Sequence, residues 1–210
     1  MNDRELKVVN SNYRTKSGGT MAIVCGALWC LVVGTWWVAG ALEPVGDVEG
    51  NVSGLVYGVG YFSLLIAGVL MVLVMARLQQ CQGGLGLRGV LGLVLVGLAV
   101  PAGVIAAVFV GWGSLMLVGT LLFGTAMSKR DVAPRLPTVA FGFGLSIGAV
   151  VWAIIRGFTG TLFQYSGMWG DLWVPNLVGV TVGGLVVAYG LFRLGRWAQG
   201  EPTPMPGSQH

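Results

Sequence analysis

The chain alternates between long apolar stretches and short polar segments. With one exception, its positive charges occur at the stretch ends that would lie on the same side of a membrane. Six apolar stretches can be read between Met21 and Phe192, and every lysine and arginine except Arg156 falls at that one set of ends. Because the lysine and arginine bias of short loops sets the orientation of membrane proteins, charge and hydropathy support one interpretation. We predict an all-α, polytopic integral membrane protein: a bundle of six transmembrane helices with both termini in the cytoplasm.

Composition supports a chain that folds in lipid. Charged residues make up 10% of the 210 residues and hydrophobic residues 55%, whereas soluble domains carry about 25% charged residues. A membrane span needs about 20 largely apolar residues to cross a hydrocarbon core of about 30 Å. Six spans with short loops use nearly the whole chain, so we expect the lipid bilayer to be its main surroundings and no soluble domain to be present.

The predicted transmembrane domain covers residues 20–197, between a polar cytoplasmic tail at 1–19 and a short, disordered, Pro-rich cytoplasmic tail at 198–210. The third and fourth spans share an uncharged run from Gly89 to Met127, which we divide at a tight turn formed by Gly111 to Ser114. The six spans are predicted at about residues 20–42, 54–76, 89–109, 112–127, 138–156 and 173–192.

One segment carries a resemblance. The Gly-rich stretch from Gly119 to Gly124, followed by the basic, Pro-containing turn from Arg130 to Arg135, resembles bacterial multi-span membrane proteins of about this length. The resemblance rests on topology and composition and implies no functional residue. With the charge bias, it implies a bacterial inner membrane location with both termini inside.

Arg156 is the one basic residue at the other set of ends, where it interrupts an apolar run in the predicted fifth span. A charge within a span is costly, and by default it marks a functional site. We would then expect its planar guanidinium to hold an anionic head group. Alternatively, Arg156 extends to the outer interface and pairs with Asp171 or with an acid of the 43–53 loop such as Glu43. The sequence leaves both interpretations open.

Two tyrosines form the most polar cluster within a predicted span. Tyr57 and Tyr61 are four residues apart in the second span, so they share one face of a helix. They could line a small cavity, or they could bond neighbouring backbone carbonyls.

Glycine is abundant, at 36 of 210 residues, and many glycines form small-xxx-small pairs. Such a pair presents a shallow groove to a neighbouring helix backbone. Internal packing and self-association are both consistent with these pairs. The helix-packing pairs are predicted at Gly54 and Gly58, at Gly144 and Gly148, and at Gly179 and Gly183.

The residue types that the predicted spans lack limit the possible functions of the protein. No acid falls within a predicted span, which argues against a carboxylate proton relay or a cation-coupling site. The only histidine is His210, and the three cysteines are too few for a metal site, so we predict neither a metal nor a cofactor. The basic residues form no stripe, so we predict no nucleic-acid partner. With no nucleophile and base paired within the spans, we predict that the protein is not an enzyme.

Two functional hypotheses remain. The leading one is a non-catalytic accessory subunit, or an interaction or assembly partner of a membrane complex, with a membrane-protein partner or a second copy of the chain. The alternative is a small permease or carrier for a neutral or anionic solute or lipid. Its cavity would lie near Pro101, Tyr57 and Tyr61, with Arg156 at the outer gate.

Overall fold

A computed structural model describes residues 3–42, 50–81, 84–104, 109–129, 133–158 and 173–200. Within these ranges the ordered structure consists of helices and contains no strand. The helices are α1 (Asp3–Leu42), α2 (Gly50–Cys81), α3 (Gly86–Val104), α4 (Phe109–Ser128), α5 (Arg135–Phe158) and α6 (Trp173–Ala198).

The predicted all-α membrane bundle is confirmed. Four helices carry segments that are long and apolar enough to cross a membrane; these segments are Lys16–Val38, Gly58–Gln80, Arg135–Ile155 and Val178–Ala198. The apolar segments of α3 and α4 are shorter, at Gly86–Ala102 and Gly113–Ser128. Six complete spans and cytoplasmic termini therefore stay predictions.

Every helix extends beyond its predicted span at one end or both, and two predictions change most. Helix α1 begins at Asp3 and so includes most of the predicted polar tail. The predicted turn at Gly111 to Ser114 is wrong, because these residues are helical and α4 begins at Phe109. Backbone hydrogen bonds meet no competing water in lipid, so glycine and serine are tolerated inside a helix there. The predicted disordered tail beyond Gly200 lies outside the described residues.

The helices pack in chain order around a ring. Each helix packs against its sequence neighbours, and α1 also packs against α6, which closes the ring. Consecutive helices are antiparallel: Gly18 of α1 lies beside Arg77 near the end of α2, whereas Gly60 near the start of α2 lies beside Thr35. The contact is most extensive between α5 and α6 and, among neighbouring helices, least extensive between α2 and α3.

The two ends of the bundle differ in charge. We call one end the basic end, because the described basic side chains lie there: Lys16, Arg77, Arg88, Lys129, Arg135, Arg193 and Arg196. We call the opposite half the distal half; it comprises the C-terminal halves of α1, α3 and α5 and the N-terminal halves of α2, α4 and α6. No Asp or Glu occurs among the residues whose side chains are described.

The bundle is solidly packed toward the basic end. Phe123 and Phe141 are fully buried, with ring centroids 6.3 Å apart and an interplanar angle of 87°. Beside them, Gly124 of α4 and Gly142 of α5 are in direct backbone contact. The fully buried Met71 belongs to the same core. This core closes the ring below the distal half.

Candidate functional site

A chamber of about 500 Å³ lies in the distal half of the bundle. Small-molecule sites in proteins typically measure about 300–1,000 Å³, so this volume suits a small ligand or part of a lipid. Helices α1, α2, α4, α5 and α6 contribute to its wall, and no described side chain of α3 does. Its lining includes Trp29, Trp36, Leu64, Leu145, Trp152 and Gly183.

The chamber extends from below the distal helix ends to about the middle of the bundle. Trp36 and Trp152 lie six residues before the ends of α1 and α5, which is about 9 Å at a rise of about 1.5 Å per residue. Trp29 and Leu145 lie thirteen residues before the same ends, or about 20 Å. Two tryptophans thus mark the upper level of the chamber, and Trp29 marks its floor.

The floor is closed by side chains. One helical turn below Leu145 is the fully buried Phe141, which packs edge to face against Phe123. Met71, two turns below Leu64 on α2, is also fully buried. The chamber is therefore blind toward the basic end.

The wall of the chamber is chemically apolar. None of the described residues that line it is charged, and its polar side-chain groups are the indole N–H groups and the hydroxyl of Ser114. A polar or charged solute would lose its hydration here without gaining equivalent partners, which is costly. The lining is therefore suited to an uncharged hydrophobic molecule or to the hydrophobic part of a larger one.

Glycines on α5 and α6 bring the two helices together and line the chamber at the same time. Were Gly148 to carry a Cβ atom, that atom would lie 2.5 Å from the carbonyl oxygen of Gly179 and 2.8 Å from the Cα of Gly183. One turn away, a Cβ on Gly144 would lie 2.7 Å from Cγ2 of Val187. The motifs at Gly144 and Gly148 and at Gly179 and Gly183 thus face each other. On α4, Gly113 lines the chamber and has open space where a side chain would be.

Trp29 carries an unusual buried donor. Its side chain is 4% exposed, and its indole Nε1 has no hydrogen-bond partner. Leaving such a donor unsatisfied costs about 1–3 kcal/mol. By contrast, Trp37, at the level of the chamber top, donates through Nε1 to Oγ1 of Thr181 over 2.8 Å and so joins α1 to α6.

The predicted polar site is only partly described. Tyr61 lies half-buried on α2, with its ring edge-on to Phe62 at 6.3 Å, and it does not line the chamber. The side chain of Tyr57, and all of Glu43 and Asp171, lie outside the described residues.

Arg156 and the remaining predicted glycines are also only partly described. Arg156 is a helical residue of α5, one turn beyond Trp152, and its side chain lies outside the described residues. Gly58 has no atom within 4 Å of the place where its Cβ would be. Its predicted partner Gly54 is helical, and its surroundings lie outside the described part of the chain.

The sequence prediction singled out Gly148, Gly179 and Gly183 as packing residues but missed the large side chains that line the chamber. Trp29, Leu145 and Trp152 are apolar residues in apolar spans, so nothing in their chemistry marks them. The sequence does contain one pattern that indicates a cavity: glycines cluster on α5 and α6, and tryptophans occur at a similar depth. Small and large side chains at one depth leave space between helices. The chain matches no protein-family model, and comparisons with curated proteins and with solved structures find no significant similarity.

Proposed function

We propose that this chain is a non-catalytic, multi-pass membrane protein that binds the apolar part of a lipid or of another hydrophobic molecule in the chamber, as a small carrier or lipid-binding protein. The observation that carries the proposal is the chamber itself: about 500 Å³, with no charged residue in its described lining. A hydrocarbon chain that enters such a lining from the bilayer is already out of water, so its affinity comes from van der Waals packing against the chamber wall.

The orientation is part of the proposal. We place six spans in a bacterial inner membrane with both termini inside, because the described basic side chains lie at one end of the bundle and such an end faces the cytoplasm. The chamber then lies in the outer half of the membrane, and a carrier would have to open the Phe123 and Phe141 core to pass its cargo inward.

Native mass spectrometry after gentle extraction tests the binding function. We expect the wild-type chain to retain a hydrophobic molecule. Ala149 lines the chamber, so the phenyl ring of Ala149→Phe should occupy part of it and displace that molecule. Val150 is the adjacent residue and is 57% exposed on the outside of the bundle, so Val150→Phe adds a phenyl ring to the same helix without entering the chamber.

The comparison of these two variants shows whether the chamber is the binding site. Loss of the bound molecule in Ala149→Phe and its retention in Val150→Phe would support the chamber as the binding site. Equal retention in both variants would mean that the molecule binds elsewhere and would contradict the proposal.

One observation favours the accessory-subunit hypothesis as a second candidate. Gly58 on α2 has no atom within 4 Å of the place where its Cβ would be. It lies between Leu55 and Phe62, which are 70% and 67% exposed. This is a groove with large apolar rims, of the kind that accepts a neighbouring transmembrane helix. Gly58→Leu should then release a stoichiometric partner or second copy seen by native mass spectrometry, whereas Gly97→Leu, also with open space above it, should not. An unchanged assembly in Gly58→Leu would reject this interface.

A further inference from the structure

Residue 156 continues the stripe of α5 that lines the chamber. Leu145, Gly148, Ala149 and Trp152 all line it, and residues three or four apart share one helix face. The next position on that face is Arg156, which is helical in α5. It lies one turn beyond Trp152, or about 6 Å closer to the distal helix end at about 1.5 Å per residue.

The residue at that position has a chemistry opposite to that of the chamber. Arginine keeps its charge at all accessible pH values and carries a planar set of N–H donors that matches a carboxylate or a phosphate. Every other lysine and arginine of the chain falls at the other set of stretch ends. Along this one face of α5, a permanent cation is therefore followed at once by an apolar wall that runs from Trp152 down to Leu145.

That order is the order of groups in an anionic amphiphile. The head group of such a molecule carries the negative charge, and its hydrocarbon tail begins within a few ångströms of it. We propose that the ligand of the chamber is an anionic amphiphile, with its hydrocarbon tail in the chamber between Trp152 and Trp29 and its carboxylate or phosphate bound at Arg156. This inference rests on the proposed binding function and adds the chemical class of the ligand.

Two brominated probes separate the head from the tail. Dibromostearate and its methyl ester have the same tail, but only the acid is charged, and bromine quenches tryptophan fluorescence at short range. Titration of the detergent-solubilised full chain, at a pH where the carboxylate is ionised, should show quenching by both probes. The acid should bind more tightly than the ester.

Arg156→Gln is the decisive variant. Hydrogen bonds to charged groups are worth about 1.5–3 kcal/mol, so the variant should weaken binding of dibromostearate by at least about tenfold. It should leave the affinity for the methyl ester unchanged, which also shows that the variant is folded. Arg156→Lys should retain part of the preference for the acid. Lys129→Gln removes the same charge from an exposed position at the basic end and should change neither affinity.

The outcomes for the two proposals differ. If the wild-type chain binds neither probe, the binding function itself fails. If it binds both probes and Arg156→Gln leaves the acid affinity unchanged, or lowers both affinities equally, the binding function stands and the anionic head-group assignment is overturned. In nanodiscs, tighter binding of brominated phosphatidylglycerol than of the fatty acid would identify a phospholipid as the source of the anion, and the reverse order would identify a free fatty acid.

Discussion

Gly148 of α5 and Gly183 of α6 are in direct backbone contact, so close that a Cβ on Gly148 would lie 2.8 Å from the Cα of Gly183. Both residues also line the chamber. The same pair of glycines therefore sets the local spacing of α5 and α6, the helix pair with the most extensive contact, and forms part of the chamber wall. In lipid, close approach of helix backbones is the main source of helix association, since the hydrophobic effect does not draw apolar helices together there.

Gly148→Ala should destabilise the protein. The added methyl group would overlap the Gly179 carbonyl oxygen and the Gly183 backbone, neither of which can move independently of α6. Overpacking of this kind lowers the free energy of unfolding by about 1–3 kcal/mol. The measurement is the midpoint of thermal unfolding in detergent, which should be lower in the variant. Gly34→Ala is the matched control, because Gly34 lies in α1 with nothing within 4 Å of its Cβ position. Equal unfolding midpoints for the two variants would show that α5 and α6 do not pack through these glycines.

The glycine pairs show how far the sequence could predict the packing. The motif at Gly144 and Gly148 and the motif at Gly179 and Gly183 were recognisable, because small residues four apart are a property of the sequence alone. Which groove faces which helix depends on how each helix is rotated, and the motif does not encode that rotation. Gly58, which belongs to an equally good motif, has open space above it in this chain.

The bond between Trp37 and Thr181 should contribute modestly to stability. Hydrogen bonds between transmembrane helices average about 0.6 kcal/mol in double-mutant cycles, and this bond joins α1 to α6 over 2.8 Å. We expect Trp37→Phe and Thr181→Val to be non-additive by about that amount. The measurement is a double-mutant cycle of unfolding free energies in detergent. Full additivity would mean that the two side chains do not interact in the folded protein.

Two hydroxyl deletions on α5 should differ in their effect on the free energy of unfolding. Ser146 Oγ on α5 is buried without a hydrogen-bond partner, so Ser146→Ala removes an unsatisfied group and should leave the unfolding free energy equal or raise it by about 1 kcal/mol. Thr138 Oγ1 donates to the Pro134 carbonyl over 2.9 Å at the start of the same helix. Thr138→Val should therefore lower the unfolding free energy by about 1 kcal/mol. A clear loss of stability in Ser146→Ala would indicate that its hydroxyl has a partner.

Single-cysteine labelling should give the orientation of the bundle. In a background without the three native cysteines, Asn51→Cys should react with a membrane-impermeant maleimide in intact cells, and Gln82→Cys should react only after the membrane is opened. The expectation follows from the positive-inside rule and from the positions of these residues at opposite ends of the second apolar stretch. Labelling of position 82 from outside, with position 51 protected, would invert the proposed topology and place the chamber in the inner half.

The chamber shows why the site was harder to predict than the fold. A six-fold alternation of apolar and charged segments is a long-range pattern, so the all-helical membrane bundle follows from hydropathy and charge. A cavity is set by the difference between large and small side chains on five helices at one depth. Trp29, Leu117 and Leu145 come together only once the ring has closed. Tyr61, selected because it is polar, lies elsewhere on α2.

An experimental density map of the full chain in lipid nanodiscs tests the central claim most directly. We predict elongated density in the distal half, between Trp152 and Trp29, with its polar end at the level of residue 156. The Ala149→Phe variant should lack this density while keeping the same arrangement of helices. A wild-type map in which the space between these tryptophans is closed by protein side chains, or is open but empty in lipid, would contradict the account of this protein as a binder of hydrophobic molecules.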